Sequence, residues 1–240
     1  LIDTAPVYGM GHAERLVGCA LAEREQAGGV VLSTKAGLDW EGTQPFRDAS
    51  PARLLREIDD SRERLGVEAV DILHVHWPDP LVPIEETADA MRQIFEAGKT
   101  RAVGVSNFSV AQIERFRAHC PLHVVQPPYN LLERGIEDEL LPHLRERGIS
   151  TLTYGALCRG LLTGKMHQAS TFEGDDLRRN DPKFQEPRFG PYLDAVRRLD
   201  ELAKERFGKD VIHLALRWLL DRPGVGVALW GARRPDQLAP

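Results

Sequence analysis

The feature that most limits what this chain can become is a steady alternation of short apolar runs with longer stretches of helical periodicity. Residues 30–32, 70–75, 102–105, 124–125, 151–153 and 227–230 read as strands, and Leu1-Ile2 as the end of another. Helical faces lie between them. Leu16, Val17, Ala20 and Leu21 run toward Gly28-Gly29, and Leu54, Leu55, Ile58 and Leu65 run from Ser50-Pro51 to Gly66. A third helix starts near Ile84, carries Ala88, Met91 and Phe95, and stops at Gly98. Ser109 caps Val110, Ile113 and Phe116, and Ile136, Leu140, Leu141 and Leu144 precede Gly148. Two more helices are expected at 193–207 and 211–220. Residues 39–49 read as a polar loop. Residues 167–191 are polar, irregular and too long for an ordinary connection, which makes them the candidate lid.

About seven strand–helix units of roughly 25 to 40 residues, joined by short connections, imply a parallel sheet, open or closed. No composition break divides the 240 residues, so one domain over 1–240 is expected. An open sheet gathers its site at a single switch point, usually behind a glycine fingerprint, whereas a closed barrel collects its site from many strand ends. Here polar residues end one strand after another: Asp3, Lys35, His76, Ser106 with Asn107, Gln126 and Tyr154. Gly9-x-Gly11 fails the dinucleotide fingerprint because position 14 is Glu. The expectation is an α/β chain of the (β/α)8 TIM-barrel type. Leu1 lies inside a strand-like segment and the last residues begin a new element. A fragment trimmed at both ends is therefore expected.

Closure would bring four reactive groups to one end. Tyr8, in the turn after Asp3, can deliver a proton, but a phenol is a poor acid near neutrality. An ammonium beside it favours the phenolate; Lys35 supplies one, and Asp3 would keep that lysine charged and oriented. His76 is placed to orient a carbonyl oxygen or relay a proton.

Net charge is −5, and both signs are interspersed among the 28% charged residues, which argues against nucleic acid or an anionic membrane as partner. Cys19, Cys120 and Cys158 are odd in number and widely spaced, pointing to a reducing, cytoplasmic setting without disulfides or a thiolate metal site. No apolar run is long enough to span a bilayer.

At this point the chain resembles the aldo-keto reductase family. Asp3-Thr4-Ala5-x-x-Tyr8-Gly9, Ser33-Thr34-Lys35 and His76-Trp77-Pro78 match its catalytic Asp, Tyr, Lys and His in order and context. Val103-Gly104-Val105-Ser106-Asn107-Phe108 and Gln126-x-x-Tyr129-Asn130 match segments that hold the nicotinamide carboxamide. Tyr154-Gly155-Ala156-Leu157-x-x-Gly160-Leu161-Leu162-Thr163-Gly164-Lys165 looks like the stacking aromatic and pyrophosphate loop, with Gly155-Ala156 where many relatives have Ser-Pro. Gly231-Ala232-Arg233-Arg234-Pro235-x-Gln237 looks like the segment at the adenine 2′-phosphate. The resemblance implies hydride transfer from NADPH to a small-molecule carbonyl, an aldehyde in preference to a ketone or sugar, with Tyr8 as proton donor. It implies cofactor contacts from Ser106, Asn107, Gln126, Tyr154, Leu157, Gly160, Leu162, Gly164, Lys165, Gly231, Arg233 and Gln237. Arg233 is the candidate fork for the 2′-phosphate, and Trp77 lines the substrate pocket. His12 stands where relatives often have a small polar residue, and the resemblance implies that the first barrel strand and the last outer helix are missing from this chain.

Two rivals remain. His74-x-His76, with Lys35 as a bridging ligand, resembles the first metal pair of barrel hydrolases, although the other histidines do not fall at later strand ends. A reductase-like barrel can also serve as a non-catalytic, cofactor-sensing subunit.

Overall fold

The structure, a computed structural model, describes residues 1–23, 29–174, 176–232 and 234–237. Contacts divide the chain into two compact units, Leu1–Pro127 with Asp138–Thr151, and Pro128–Glu137 with Leu152–Pro240.

The first unit holds the strands β1 (Ile2–Asp3), β2 (Leu32–Ala36), β3 (Leu38–Glu41), β4 (Gln44–Arg47), β5 (Val70–Val75), β6 (Thr100–Ser106), β7 (Val124–Gln126) and the start of β8 (Ser150–Thr153). Apart from the β3–β4 hairpin they are parallel neighbours in the order β1, β2, β5, β6, β7, β8. Parallel pairing needs a crossover, and α1 (His12–Ala22), α2 (Pro51–Leu65), α3 (Ile84–Glu96), α4 (Val110–Arg117) and α5 (Leu140–Glu146) supply it. Leu54, Ile58, Met91, Ile94, Ile113 and Phe116 from these helices close over Leu73, Val75, Val103 and Val105 of the sheet. Ser50 caps α2, accepting from the Arg53 N–H, and Gly66 ends it at φ +68. The carboxyl ends of these parallel strands face the same way, which gathers their terminal residues.

Several expectations are corrected here. The strand expected at 30–32 is Leu32–Ala36, wholly buried, while Val31 is exposed. Hydrophobicity misplaced it because Ser33, Thr34 and Lys35 are polar yet fully partnered inside. The polar loop expected at 39–49 is mostly the β3–β4 hairpin, paired from Leu38↔Arg47 to Glu41↔Gln44. Gly42, at φ +60, takes the first central position of its two-residue turn. β4 is exposed throughout, so it carries no apolar signal. Helix α1 ends at Ala22, short of the expected glycines, of which Gly28 lies outside the described residues. Ile136 also falls outside α5.

In the second unit Leu152 and Thr153 of β8 pair in parallel with β9 (Val227–Ala228). Helices α6 (Phe189–Phe207) and α7 (Val211–Leu220) join the 3-10 segment Cys158–Thr163 around a core of Leu161, Leu162, Phe184, Phe189, Val196 and Val211. The stretch 167–191 is more ordered than expected. It holds short 3-10 turns at Leu177–Arg179 and Pro182–Phe184, and α6 begins at Phe189, a turn earlier than expected, with Pro191 in its first turn. Phe172, Phe184 and Phe189 pack edge-on or tilted, centroids 5.4–6.2 Å apart, and anchor the segment.

Candidate active site

Side chains alternate along β2. Thr34 points to the helices, where its hydroxyl donates to the buried Glu14 (2.7 Å), itself paired with Arg64. Ser33 and Lys35 point the other way, toward β1. Asp3 ends β1 beside Ser33 in the ladder, so its carboxylate meets both neighbours. Oδ2 faces the Lys35 ammonium at 2.5 Å, and Oδ1 accepts from the Ser33 hydroxyl at 2.8 Å and from the Gln126 amide at 3.0 Å. Lys35, only 1% exposed, also donates to the Thr4 carbonyl at 2.9 Å. Burial opposes the charge on Asp3, but the charge and hydrogen bond of Lys35 outweigh it and hold the carboxyl below its ordinary range.

Tyr8 follows in the turn after β1 and is 43% exposed, with the Lys35 ammonium 5.1 Å from its ring centroid. His76 follows β5, and its ring stands edge-on to Tyr8 at 6.0 Å. Burial, reinforced by the positive charge of Lys35, pushes His76 down to about 3, so it is a neutral imidazole near pH 7. A neutral ring has one N–H to offer an oxygen and one bare nitrogen to accept. Asp3, Tyr8, Lys35 and His76 thus surround one spot at the carboxyl ends of β1, β2 and β5.

Ser106, Asn107 and Gln126 close the same group. Asn107, at φ +64, donates to the His76 carbonyl and to the Ser106 hydroxyl, each at 3.0 Å, and that hydroxyl donates to the Gln126 carbonyl at 2.8 Å. A hydroxyl with two side-chain amides, wired to the Asp3 carboxylate, is a donor and acceptor set that suits a carboxamide. Trp77 is half-buried and lies under Arg47, a residue sequence reasoning passed over because it sits in the unrecognised hairpin. Ser33 was missed as a partner of Asp3, although its spacing of two from Lys35 on a strand signals a shared face. Glu14 gave no signal, since a carboxylate near a helix start ordinarily faces water.

His74 does not join this group as a metal ligand. It is fully buried, with its ring against the Gly104 backbone, and burial followed by the Lys35 charge pushes it down to about 3. Among the described residues no set of three or more His, Cys, Asp or Glu is placed to hold a metal ion. Cys120 and Cys158 are buried thiols pushed up to about 12 by that burial.

The remaining candidates belong to the second unit. Tyr154 follows β8 half-buried, its carbonyl accepting from the Tyr129 N–H at 3.0 Å. The Leu157 carbonyl accepts from the N–H groups of Gly160 (2.9 Å) and Leu162 (3.1 Å), which winds the chain into a tight turn. Cys158, Arg159, Gly160 and Gly164 all have positive φ there. Gly155 does too, at φ +71, a conformation that glycine adopts without strain. The Leu162 side chain is core, whereas Gly164 and Lys165 are exposed. Gly231 is exposed, and Gln237 accepts from the Arg234 N–H at 3.2 Å. Arg233 lies outside the described residues.

Residues 1–240 match the model of the aldo/keto reductase family. The chain is 58% identical over 238 residues to Aldo-keto reductase YhdN of Bacillus subtilis, covering 99% of this chain and 72% of that protein. It is 34% identical over 253 residues to the NADH-specific methylglyoxal reductase of Escherichia coli, covering 99% and 76%. Among solved structures, the glycerol dehydrogenase AKR11B4 from Gluconobacter oxydans superposes with a TM-score of 0.91 at 51% identity, covering 99% of this chain and 73% of that one. The parallel (β/α) architecture expected from the strand ends is the fold these relatives share. The chain is a member of the aldo/keto reductase family.

Proposed function

We propose that the chain reduces the carbonyl of a small aldehyde at the expense of NADPH, with Tyr8 as proton donor. The observation that carries this is the Lys35 ammonium, held at 2.5 Å by Asp3 and standing 5.1 Å from the Tyr8 ring. The nicotinamide, when bound, supplies the hydride that reaches the carbonyl carbon. The chain's residues manage the oxygen. Tyr8 gives its hydroxyl proton to that oxygen as charge develops there, and Lys35 stabilises the phenolate left behind. His76, neutral, offers an N–H that fixes where the oxygen sits. Asp3 keeps the ammonium aimed, and Ser33 and Gln126 keep Asp3 aimed.

Ser106, Asn107 and Gln126 would hold the carboxamide, since their hydroxyl and amides match its donor and acceptor. By family resemblance Tyr154 would stack on the ring, and Leu157, Gly160, Leu162, Gly164 and Lys165 would take the pyrophosphate. Gly231, Arg233 and Gln237 would take the adenosine end. NADPH is preferred over NADH in this proposal because an arginine fork suits a 2′-phosphate. The E. coli relative named as NADH-specific makes that the finer point to test.

The test is a titration with NADPH and with NADH followed by fluorescence, then turnover with a panel of aldehydes, for the native protein and Tyr8→Phe. The expected result is retained NADPH binding with turnover reduced by ~10²-fold or more in Tyr8→Phe. Native protein that binds cofactor yet turns over no aldehyde would favour a cofactor-sensing role, and undiminished turnover in Tyr8→Phe would remove Tyr8 from the chemistry.

A further inference from the structure

We propose that Arg47 selects carbonyl compounds carrying an anionic group, a carboxylate or phosphate, away from the reacting carbon. The inference rests on the carbonyl reduction proposed above and adds its substrate class. β2 ends at Ala36, one residue past Lys35, and the chain turns at Gly37 (φ +92) into the hairpin. The Asp48 N–H donates to the Gly37 carbonyl at 3.1 Å, and Arg47 pairs with Leu38, so Arg47 stands at the hairpin base and not at its tip. The His76 N–H donates to the Ala36 carbonyl at 2.8 Å, which sets that base beside the strand exits bearing Lys35 and His76.

There the Arg47 guanidinium carbon lies 5.0 Å from the ring centroid of Trp77, the residue after His76, and Nη1 donates to the Pro78 carbonyl at 3.1 Å. Stacking and a single hydrogen bond leave most of the five N–H donors of an arginine uncommitted. No carboxylate pairs with Arg47 among the described residues, and the nearby acids are engaged elsewhere. Asp3 is held by Lys35 and Asp39 by Arg53 (3.0 Å); Asp79 accepts from the Ala49 and Leu81 N–H groups, and Asp48 from that of Ser50.

The base itself is fixed from below. Arg53 donates to the Leu38 carbonyl at 3.0 Å and pairs with Glu57, whose carboxylate accepts from the Gly37 N–H at 2.8 Å; both side chains are buried. A guanidinium lying on an aromatic face and seated on an anchored hairpin is ordered in advance for an oxyanion. The plainer role for Arg47, shielding Trp77 from water, makes no distinction between charged and neutral substrates.

The experiment compares kcat/KM for matched pairs at low ionic strength and saturating cofactor: 4-carboxybenzaldehyde against 4-nitrobenzaldehyde, and glyceraldehyde 3-phosphate against glyceraldehyde. Native protein is expected to favour the anion of at least one pair, and the pair showing it tells carboxylate from phosphate recognition. In Arg47→Ala that charged-to-neutral ratio should fall roughly tenfold or more, with the loss in KM and not kcat. Arg47→Lys should keep part of the preference and Arg47→Glu should invert it. Neutral aldehydes turned over with no preference for the anion, or a ratio untouched by Arg47→Ala, would overturn this inference alone. No turnover of any of the four would overturn the reductase proposal and this one together.

Discussion

A Cβ placed on Gly104 would stand 2.2 Å from Nδ1 and 2.5 Å from Cε1 of His74, so β6 passes the imidazole only as glycine. Gly104→Ala is expected to lower stability by about 1–3 kcal/mol in urea denaturation, as overpacking does. The cost should shrink in a His74→Ala background, where the clash is gone. An equal cost in both backgrounds would mean that glycine serves something other than the ring. The same pair shows what a sequence can and cannot say about single residues. His74 and His76 are two positions apart at the end of β5 and look alike as candidates, yet one is sealed in the interior and the other is half-buried beside Tyr8. Polar residues at strand ends marked Asp3, Lys35 and His76. The bonds that support them, from the Ser33 hydroxyl and to the Thr4 carbonyl, were not legible, because a hydrogen bond between residues 30 or more apart leaves no periodic trace.

Most helices and the apolar buried strands were legible to within about a turn, since packing on one face imposes a period and the caps are local chemistry. Ser109 and Gln112 form a capping box at the start of α4, the Ser109 hydroxyl accepting from the Gln112 N–H and the Gln112 side chain from the Ser109 N–H. Ser109→Ala should cost about 1 kcal/mol, read as a lower urea midpoint with unchanged slope. Two elements escaped for opposite reasons. β2 hides because its buried residues are polar, and the β3–β4 hairpin hides because its residues are exposed. Neither follows the rule that apolar runs mark strands, and both sit next to Lys35, where the demands of a site compete with those of a core.

At the scale of the whole chain, the parallel (β/α) order was readable from spacing alone, and the closing aromatic cluster within 167–191 was not. Acidity should act on the molecule in a direction that can be worked out. His74 and His76 fall from about 6.5 to about 3 on folding, so between those values the unfolded chain binds the extra protons and acid destabilises. Glu57 runs the other way, since burial raises it from 4.5 to about 7 despite Arg53. Its contribution is full below 4.5 and fades as pH rises through 7. Between pH 4.5 and 6.5 the two histidines outweigh the single glutamate. Stability should therefore rise with pH at about 1.4 kcal/mol per unit, as urea melts taken across that window would show. A falling or flat profile would mean that the histidines are not neutral inside. The groups proposed to handle the proton, Asp3, Tyr8, Lys35 and His76, all lie in the first unit, whereas those assigned by resemblance to the cofactor's phosphates lie in the second. On that proposal the two units carry two tasks. Substitutions confined to the later unit would then change which dinucleotide is taken and leave the groups proposed to move the proton as they are.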